Sequence, residues 1–192
     1  MIPTDTATMR SHENEAIVIN RDVDAVIVPD GTPVPLKAGL SGFITQALGG
    51  SFTLYVEGNL YRLPGGDADA IGKEVAKTPE LPPNATKSDV RELAWAQLRS
   101  CYDPEIPINI VDLGLVYACE VEDNPDGTRT VQVQLTLTAP GCGMGDVLVQ
   151  DARAKVAAIP TVREVDVQLV FDPPWDRSMM SEAARLQTGM MW

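Results

Sequence analysis

The chain has 192 residues, of which 44% are hydrophobic and 22% are charged, and its formal net charge is -12 at pH 7. This length suits one ordinary globular domain or a small domain joined to a larger one. The acidic balance argues against nucleic-acid binding, since the 15 basic residues are scattered rather than concentrated on a face. No apolar run reaches the roughly 20 residues of a membrane span, and the first ten residues lack the basic segment and apolar run typical of a signal peptide. We therefore expect a cytoplasmic protein without a membrane partner.

The cysteine and histidine content narrows the chemistry. Cys101, Cys119 and Cys142 are an odd number with long spacings, which is a poor disulfide framework and suits a reducing compartment. The sequence contains no CxxC pair, so we do not expect a structural zinc ribbon. The single histidine, His12, offers no Ser-His-Asp triad or Cys-His dyad. We predict that the protein is not an enzyme and has no catalytic residues.

The N-terminal part reads as a disordered polar tail over residues 1–13 and a small β-rich module over 14–77. The apolar run 23–28, rich in valine, predicts a strand that ends at a Pro-Asp-Gly turn. Residues 51–63 predict a hairpin, because apolar residues alternate on both sides of Glu-Gly-Asn. Residues 40–48 suggest a short helical turn closed by two glycines.

A proline-rich linker over 78–86 separates this module from a second domain over 87–192. The first element of that domain is an amphipathic helix over 90–101, for which Thr86 or Ser88 is the expected cap. The remaining apolar periodicities predict strands and helices over 113–121, 131–137, 148–159, 165–171 and 181–187. The order αββαβα predicts an α+β fold, a small mixed sheet with helices on one face. On the strand that begins at residue 131, we expect a solvent-facing side formed by Gln132, Gln134, Thr136 and Thr138.

Cys142 is the strongest candidate for function. It follows a predicted strand and precedes a predicted helix, in a loop whose glycines let backbone amides approach a ligand. The amides and dipole of a helix N-terminus stabilise a thiolate and can lower a thiol pKa from ~8.5 to roughly 3.5–7.5. A thiolate binds soft metals, so Cys142 is a candidate metal or cluster ligand. The alternative is a packing residue in a tight turn.

Further candidates flank this loop in the sequence. Asp103, Glu105 and Asp112 surround a proline-stiffened turn, where they either cap the turn or present oxygens to a metal or a partner. Cys101 is an auxiliary ligand or a structural residue, whereas Cys119 is in phase with core positions. Near the C-terminus, adaptable apolar side chains either pack on their own domain or dock a partner: Trp175, Met179 and Met180.

Three stretches, DPEIPINIVDLGLVY (103–117), TLTAPGCGMGD (136–146) and VFDPPWDRSMMSEAARL (170–186), resemble the PaaD-like family of small iron-sulfur cluster assembly factors. The N-terminal segment is similar to an extension that sets some members apart from the shorter ones. The resemblance implies an iron-sulfur cluster assembly domain fold, no turnover chemistry, and assembly proteins and client apoproteins as partners. It also implies that Cys142 is the reactive cysteine and that Asp103, Glu105 and Asp112 form an acidic motif.

The resemblance has limits. This chain lacks the cysteine-rich zinc motif of some relatives, and one loop cysteine does not supply the four ligands of an ordinary cluster. A bound cluster or iron would be transient, bridge subunits, or recruit Cys101 or carboxylates, and we favour a homodimer that pairs two Cys142 loops. Two alternatives stay open: a metal-free adaptor that binds clients or assembly proteins, and a thiol enzyme, for which the sequence offers no base.

Overall fold

The computed structural model describes residues 14–75, 77–103, 106–139 and 143–189. Its first part is an antiparallel sheet in which the strands follow the order β1-β4-β5-β6-β2-β3. The strands are Glu15–Val18 (β1), Val23–Val28 (β2), Pro33–Leu36 (β3), Ser41–Leu48 (β4), Ser51–Val56 (β5) and Asn59–Leu63 (β6). A 3₁₀ helix over Gly65–Ile71 follows the last strand.

All six strands of this sheet contribute to one apolar cluster. The cluster includes Ile17, Ala25, Leu36, Ile44, Leu54 and Leu63, from β1 to β6 in turn. Glu57 and Gly58 form the two-residue turn of the β5–β6 hairpin, and both have a positive φ. A two-residue turn needs these φ values to match the twist of the two strands. The predictions of a strand over 23–28 and a hairpin over 51–63 are confirmed.

The prediction of a helical turn over residues 40–48 is wrong, because this segment forms β4. The strand lies between β1 and β5, and a β-bulge interrupts its pairing with β5 between Ile44 and Gln46. Leu40, Ile44 and Leu48 are four residues apart, a spacing that also suits one face of a helix. The backbone hydrogen bonds of two neighbouring strands outweigh that local preference.

The second part has the predicted order of elements. They are Lys87–Arg99 (α1), Val116–Asp123 (β7), Arg129–Leu135 (β8), Gly145–Ala157 (α2), Val162–Leu169 (β9) and Glu182–Thr188 (α3). β8 pairs antiparallel with β7 and parallel with β9, and α1 and α2 pack against each other and against the outer strands. The α+β fold with a mixed sheet is therefore confirmed. The predicted linker, residues 78–86, contains no helix or strand, and the domain boundaries stay predictions.

Three details of this part differ from the sequence-based expectation or refine it. Thr86 caps α1 in a reciprocal capping box with Asp89, so Ser88 is not the cap. The strand predicted over 113–121 begins only at Val116. Thr136 is buried, although alternation places it on the solvent side, because it follows the end of β8, where its amide donates to the carbonyl of Leu115.

Each helix in the described ranges is too short or too polar to cross a membrane.

Candidate functional site

Cys142 and Glu105, two of the predicted site residues, lie outside the described residues. The segment that follows Cys142 in the sequence is described from Gly143 onward and leads into α2, which begins at Gly145. The buried Met144 occupies the position before the helix, and no side-chain hydrogen bond caps the first turn of α2 within the described ranges. Within those ranges, the backbone amides of that turn therefore have no side-chain acceptor.

The N-terminal sheet contacts the chain next to Cys142. A Cβ atom built on Gly31, in the turn between β2 and β3, would lie 2.1 Å from the carbonyl oxygen of Gly143. A Cβ on Gly143 would lie 2.8 Å from the carbonyl oxygen of Asp30. The two backbones thus approach each other more closely than any side chain allows. The β2–β3 turn is therefore part of the surroundings of the Cys142 loop, a contact that sequence reasoning missed.

A second contact between the two parts is a buried charge network. Arg62 on β6 places Nη2 3.6 Å from Oδ2 of Asp151 on α2, and the same oxygen is 3.1 Å from Nζ of Lys155. Lys155 Nζ also donates to the carbonyl of Ser100 at 2.6 Å, and Arg62 Nη2 donates to the carbonyl of Tyr102 at 3.3 Å. The network joins β6, α2 and the C-terminal end of α1.

Cys101 lies beside this network, fully buried. Burial and the nearby Asp151 carboxylate raise the pKa of the Cys101 thiol to about 12. Burial raises the pKa of Cys119, on β7, to about 11. Both thiols are therefore protonated near neutral pH, and neither is a ready metal ligand in this conformation. The proposed auxiliary role of Cys101 would require this buried thiol to become exposed.

Asp103 and Asp112, the described carboxylates of the proline-stiffened turn, accept hydrogen bonds from residues close to them in the sequence. Asp103 is buried, and its Oδ1 accepts a hydrogen bond of 2.8 Å from the amide of Ile106. Asp112 Oδ2 accepts one of 2.6 Å from the side chain of Asn109. These contacts are turn and capping interactions. Within the described ranges, no group of three or more His, Cys, Asp or Glu side chains is placed to hold a metal ion.

The C-terminal candidates pack on their own domain to different degrees. Trp175 Nε1 donates to the carbonyl of Leu113 at 2.8 Å, and the hydroxyl of Tyr117 lies 3.6 Å from Sδ of Met179. Met180 is only 3% exposed and belongs to the core. Met180 is thus unavailable to a partner in this conformation, and the proposed partner surface rests on Trp175 and Met179, both half-buried.

The comparison with known proteins decides the family. The family described as "Iron-sulfur cluster assembly protein" matches residues 91–168. An Fe-S protein maturation auxiliary factor of Porphyromonas gingivalis is 46% identical over 94 residues, which is 49% of this chain and 86% of that protein. The chain belongs to the iron-sulfur cluster assembly protein family. The resemblance seen in the three sequence stretches is confirmed.

A second maturation factor and a solved structure support the same family assignment. The Fe-S protein maturation auxiliary factor SufT of Staphylococcus aureus is 41% identical over 88 residues, which is 46% of this chain and 96% of that protein. The crystal structure of a domain of unknown function, DUF59, from Bacillus anthracis superposes with a TM-score of 0.50 at 30% identity. It covers 54% of this chain and 95% of that one. Each of these matches spans about half of the present chain.

Proposed function

We propose that this chain is a non-catalytic accessory factor in the maturation of iron-sulfur proteins, and that it acts through Cys142. The observation that carries the proposal is the similarity to two relatives named Fe-S protein maturation auxiliary factor, at 46% and 41% identity over nearly their whole length. At this level of identity a shared role is a reasonable inference. The clients are apoproteins that receive a cluster, and the site of action is the cytoplasm.

The assignment of Cys142 rests on its contrast with the other two cysteines. Cys101 and Cys119 are buried, and their raised pKa values keep them protonated near neutral pH. Cys142 precedes a helix whose first-turn amides carry no side-chain cap in the described structure. Such amides favour a thiolate over a thiol. Of the three cysteines, Cys142 is therefore the best candidate to bind iron or a cluster.

In this proposal the cluster is cargo. The Cys142 thiolate donates one ligand to iron, and a client cysteine thiolate replaces it on the same iron while Cys142 leaves as thiolate, so that no redox change is required. One thiolate per chain is too few for stable retention, which suits transfer rather than storage. Two copies of the chain would supply two such thiolates, and we propose a homodimer as the carrier form.

The proposal is tested by anaerobic reconstitution of the full chain with ferrous iron and sulfide. Wild type is compared with Cys142→Ser and with the matched control Cys119→Ala, using visible absorption, the iron-to-protein ratio and the molecular mass in solution. We expect a chromophore in wild type and in the Cys119 variant, but none in Cys142→Ser. Equal chromophores in wild type and Cys142→Ser would contradict the role of Cys142. No chromophore in any variant, with client binding retained, would instead favour a metal-free adaptor.

A further inference from the structure

The outer face of the N-terminal sheet carries a row of apolar side chains that crosses five strands. Each residue of the row is the direct cross-strand partner of the next, so that the side chains lie side by side on one face. In spatial order the row, here called the apolar stripe, contains Ala16, Phe43, Tyr55, Leu60 and Val28. The four spacings between its strands give the stripe a length of about 19 Å.

The centre of the stripe is open to solvent. Phe43 and Tyr55 are each 44% exposed and Leu60 is 39% exposed, whereas Ile44 and Leu54, next to them in the sequence, belong to the core. The solvated face of an antiparallel sheet is normally polar. A contiguous apolar patch on such a face marks an interaction surface.

A polar row separates the stripe from α2. Gln46, Thr53 and Arg62 form this row through the same cross-strand pairing, and Arg62 reaches Asp151 on α2. The buried charge network therefore ends one row away from the stripe, whose side chains stay accessible.

One end of the stripe lies close to the Cys142 loop. Val28 is the last residue of β2, and Asp30 follows it by two residues. The carbonyl oxygen of Asp30 lies 2.8 Å from the position of a Cβ atom on Gly143, which directly follows Cys142. A segment bound along the stripe therefore ends beside this loop.

Two carboxylates at the rim of the stripe set the charge of its occupant. Glu57 follows Tyr55 by two residues, as Asp30 follows Val28, and both acidic residues are exposed. Neither forms an ion pair with a cation in the described part of the chain. Basic side chains beside an apolar centre complement this rim.

The same charges disfavour a second copy of this chain as the occupant. Each copy has a formal net charge of -12, and a two-fold contact through the stripe places acidic rims against each other. Like charges that face each other across an interface cost binding free energy. A different protein therefore fits the stripe better.

From these observations we propose that the apolar stripe docks an extended segment of a partner protein, with apolar residues at its centre and basic residues at its ends. About six extended residues at ~3.3 Å each span the stripe. Alternate side chains of the segment contact Phe43, Tyr55 and Leu60, and the basic ends reach Glu57 and Asp30. On the function proposed above, the partner is a client apoprotein, since the bound segment ends beside the Cys142 loop.

The test is titration of the full chain with a blocked seven-residue peptide, Lys-Leu-Thr-Leu-Thr-Leu-Lys, followed by calorimetry and amide chemical shifts. We expect saturable binding, with the largest shifts on β4, β5 and β6. The peptide with glutamate in place of both lysines should bind at least about tenfold more weakly, because its charges oppose the acidic rim. Equal affinity for the two peptides, no saturation, or shifts confined to other elements would overturn the proposal.

Phe43→Ser should weaken binding of the lysine peptide at least about tenfold, because aromatic side chains at the centre of an interface contribute much of the binding energy. Phe171→Ser is the matched control, since Phe171 is 49% exposed but follows β9 in the second part of the chain. This variant should bind the peptide as wild type does. Wild-type affinity in Phe43→Ser would contradict the proposal.

Glu57→Lys tests the rim without removing an apolar side chain. It should weaken binding of the lysine peptide about fivefold, the loss expected for one exposed ion pair. Glu164→Lys makes the same change of net charge on β9 and should leave binding unchanged. Equal effects of the two variants would show that net charge, not the rim, attracts the peptide.

The molecular mass in solution tests the second copy as the occupant. A wild-type dimer that Phe43→Ser converts to a monomer would show that a second copy covers the stripe, which would overturn the proposal. The titration contains no iron or sulfide, so its result is independent of the role of Cys142.

Discussion

The carbonyl oxygen of Gly143 lies 2.1 Å from the point at which a side chain on Gly31 would begin. Gly143 directly follows Cys142 in the sequence, and Gly31 lies in the β2–β3 turn of the N-terminal sheet. Gly31 also has a φ of 75°, which L side chains rarely adopt. The absence of side chains at both positions is what allows the N-terminal sheet to reach the Cys142 loop.

Gly31→Ala should therefore raise the reactivity of Cys142. The added methyl group forces the turn away from Gly143, and the loop loses a backbone neighbour. We expect Cys142 to react several-fold faster with Ellman's reagent at neutral pH, while the buried Cys101 and Cys119 stay slow.

The matched control is Gly39→Ala. Gly39 also has a positive φ, 91°, but a Cβ there would meet no atom within 4 Å. Gly39→Ala should lose about 1–2 kcal/mol of stability through backbone strain alone. Gly31→Ala should lose more, because its methyl group must also displace the backbone of Gly143. If both show the same Cys142 rate, the contact between the turn and the loop does not limit access to the thiol.

Loss of Asp151 should destabilise the protein more than loss of Arg62. Asp151→Asn leaves the cations of Arg62 and Lys155 together without a carboxylate, and removing one partner of a buried pair typically costs about 3–5 kcal/mol. Arg62→Met leaves Asp151 still paired with Lys155. Urea unfolding gives the free energies of unfolding of the two variants.

The control is Glu120→Gln, which breaks the exposed pair with Arg91 and should change stability by no more than about 1 kcal/mol. An Asp151→Asn effect of that small size would contradict a buried network.

The second domain could be predicted from the sequence because its signals are local. Thr86 and Asp89 define a helix start within four residues, and the alternation of valines and leucines on β8 identifies a strand with one buried side. Thr136 shows the limit of that rule, since the alternation places it outside while the turn before β7 covers it.

The contacts around the candidate site could not be predicted, because they join residues far apart in the sequence. Nothing near Arg62 indicates that Asp151 lies beside it, and Gly31 reads as an ordinary turn glycine. The same holds for Met180, for which the sequence allowed either packing on its own domain or docking to a partner, and which the structure places in the core. Local patterns assign elements, whereas the neighbours of a side chain depend on the tertiary fold.

The protein should lose stability at high pH because the Cys101 thiol is buried. Burial raises its pKa to about 12 from an ordinary value of 9.0. Below pH 9 the thiol is protonated in the folded and the unfolded chain, and its contribution to the free energy of unfolding is fully present. As the pH rises from 9 toward 12, only the unfolded chain releases the proton. The free energy of unfolding then falls by up to about 1.4 kcal/mol per pH unit from this thiol.

The measurement is urea unfolding of wild type and Cys101→Ala at about pH 8 and about pH 10. The variant loses packing at both pH values, so only the change between them is compared. We expect a smaller fall in the variant, because Cys119 titrates in both proteins and Cys101 only in wild type. An identical fall would mean that the Cys101 thiol is accessible to water in the folded chain.

Trp175→Phe should destabilise the C-terminal segment by about 1 kcal/mol. The indole N–H donates to the carbonyl of Leu113 at 2.8 Å, and phenylalanine leaves that carbonyl without this donor. Trp95→Phe is the matched control, because Trp95 packs against the same core and its indole N–H makes no hydrogen bond within the described ranges. Hydrogen exchange of α3 should increase in the Trp175 variant alone. Equal effects of both changes would show that ring packing, not the hydrogen bond, holds the segment.

The role of Cys142 in iron-sulfur maturation is tested most directly in cells from which the native gene has been deleted. The activity of an iron-sulfur enzyme is measured after complementation with wild type, Cys142→Ser or Cys119→Ala, at matched protein levels. Wild type and Cys119→Ala should restore the activity, and Cys142→Ser should leave it at the level of the deletion strain. Full restoration by Cys142→Ser would contradict the proposal that the protein acts through this thiol.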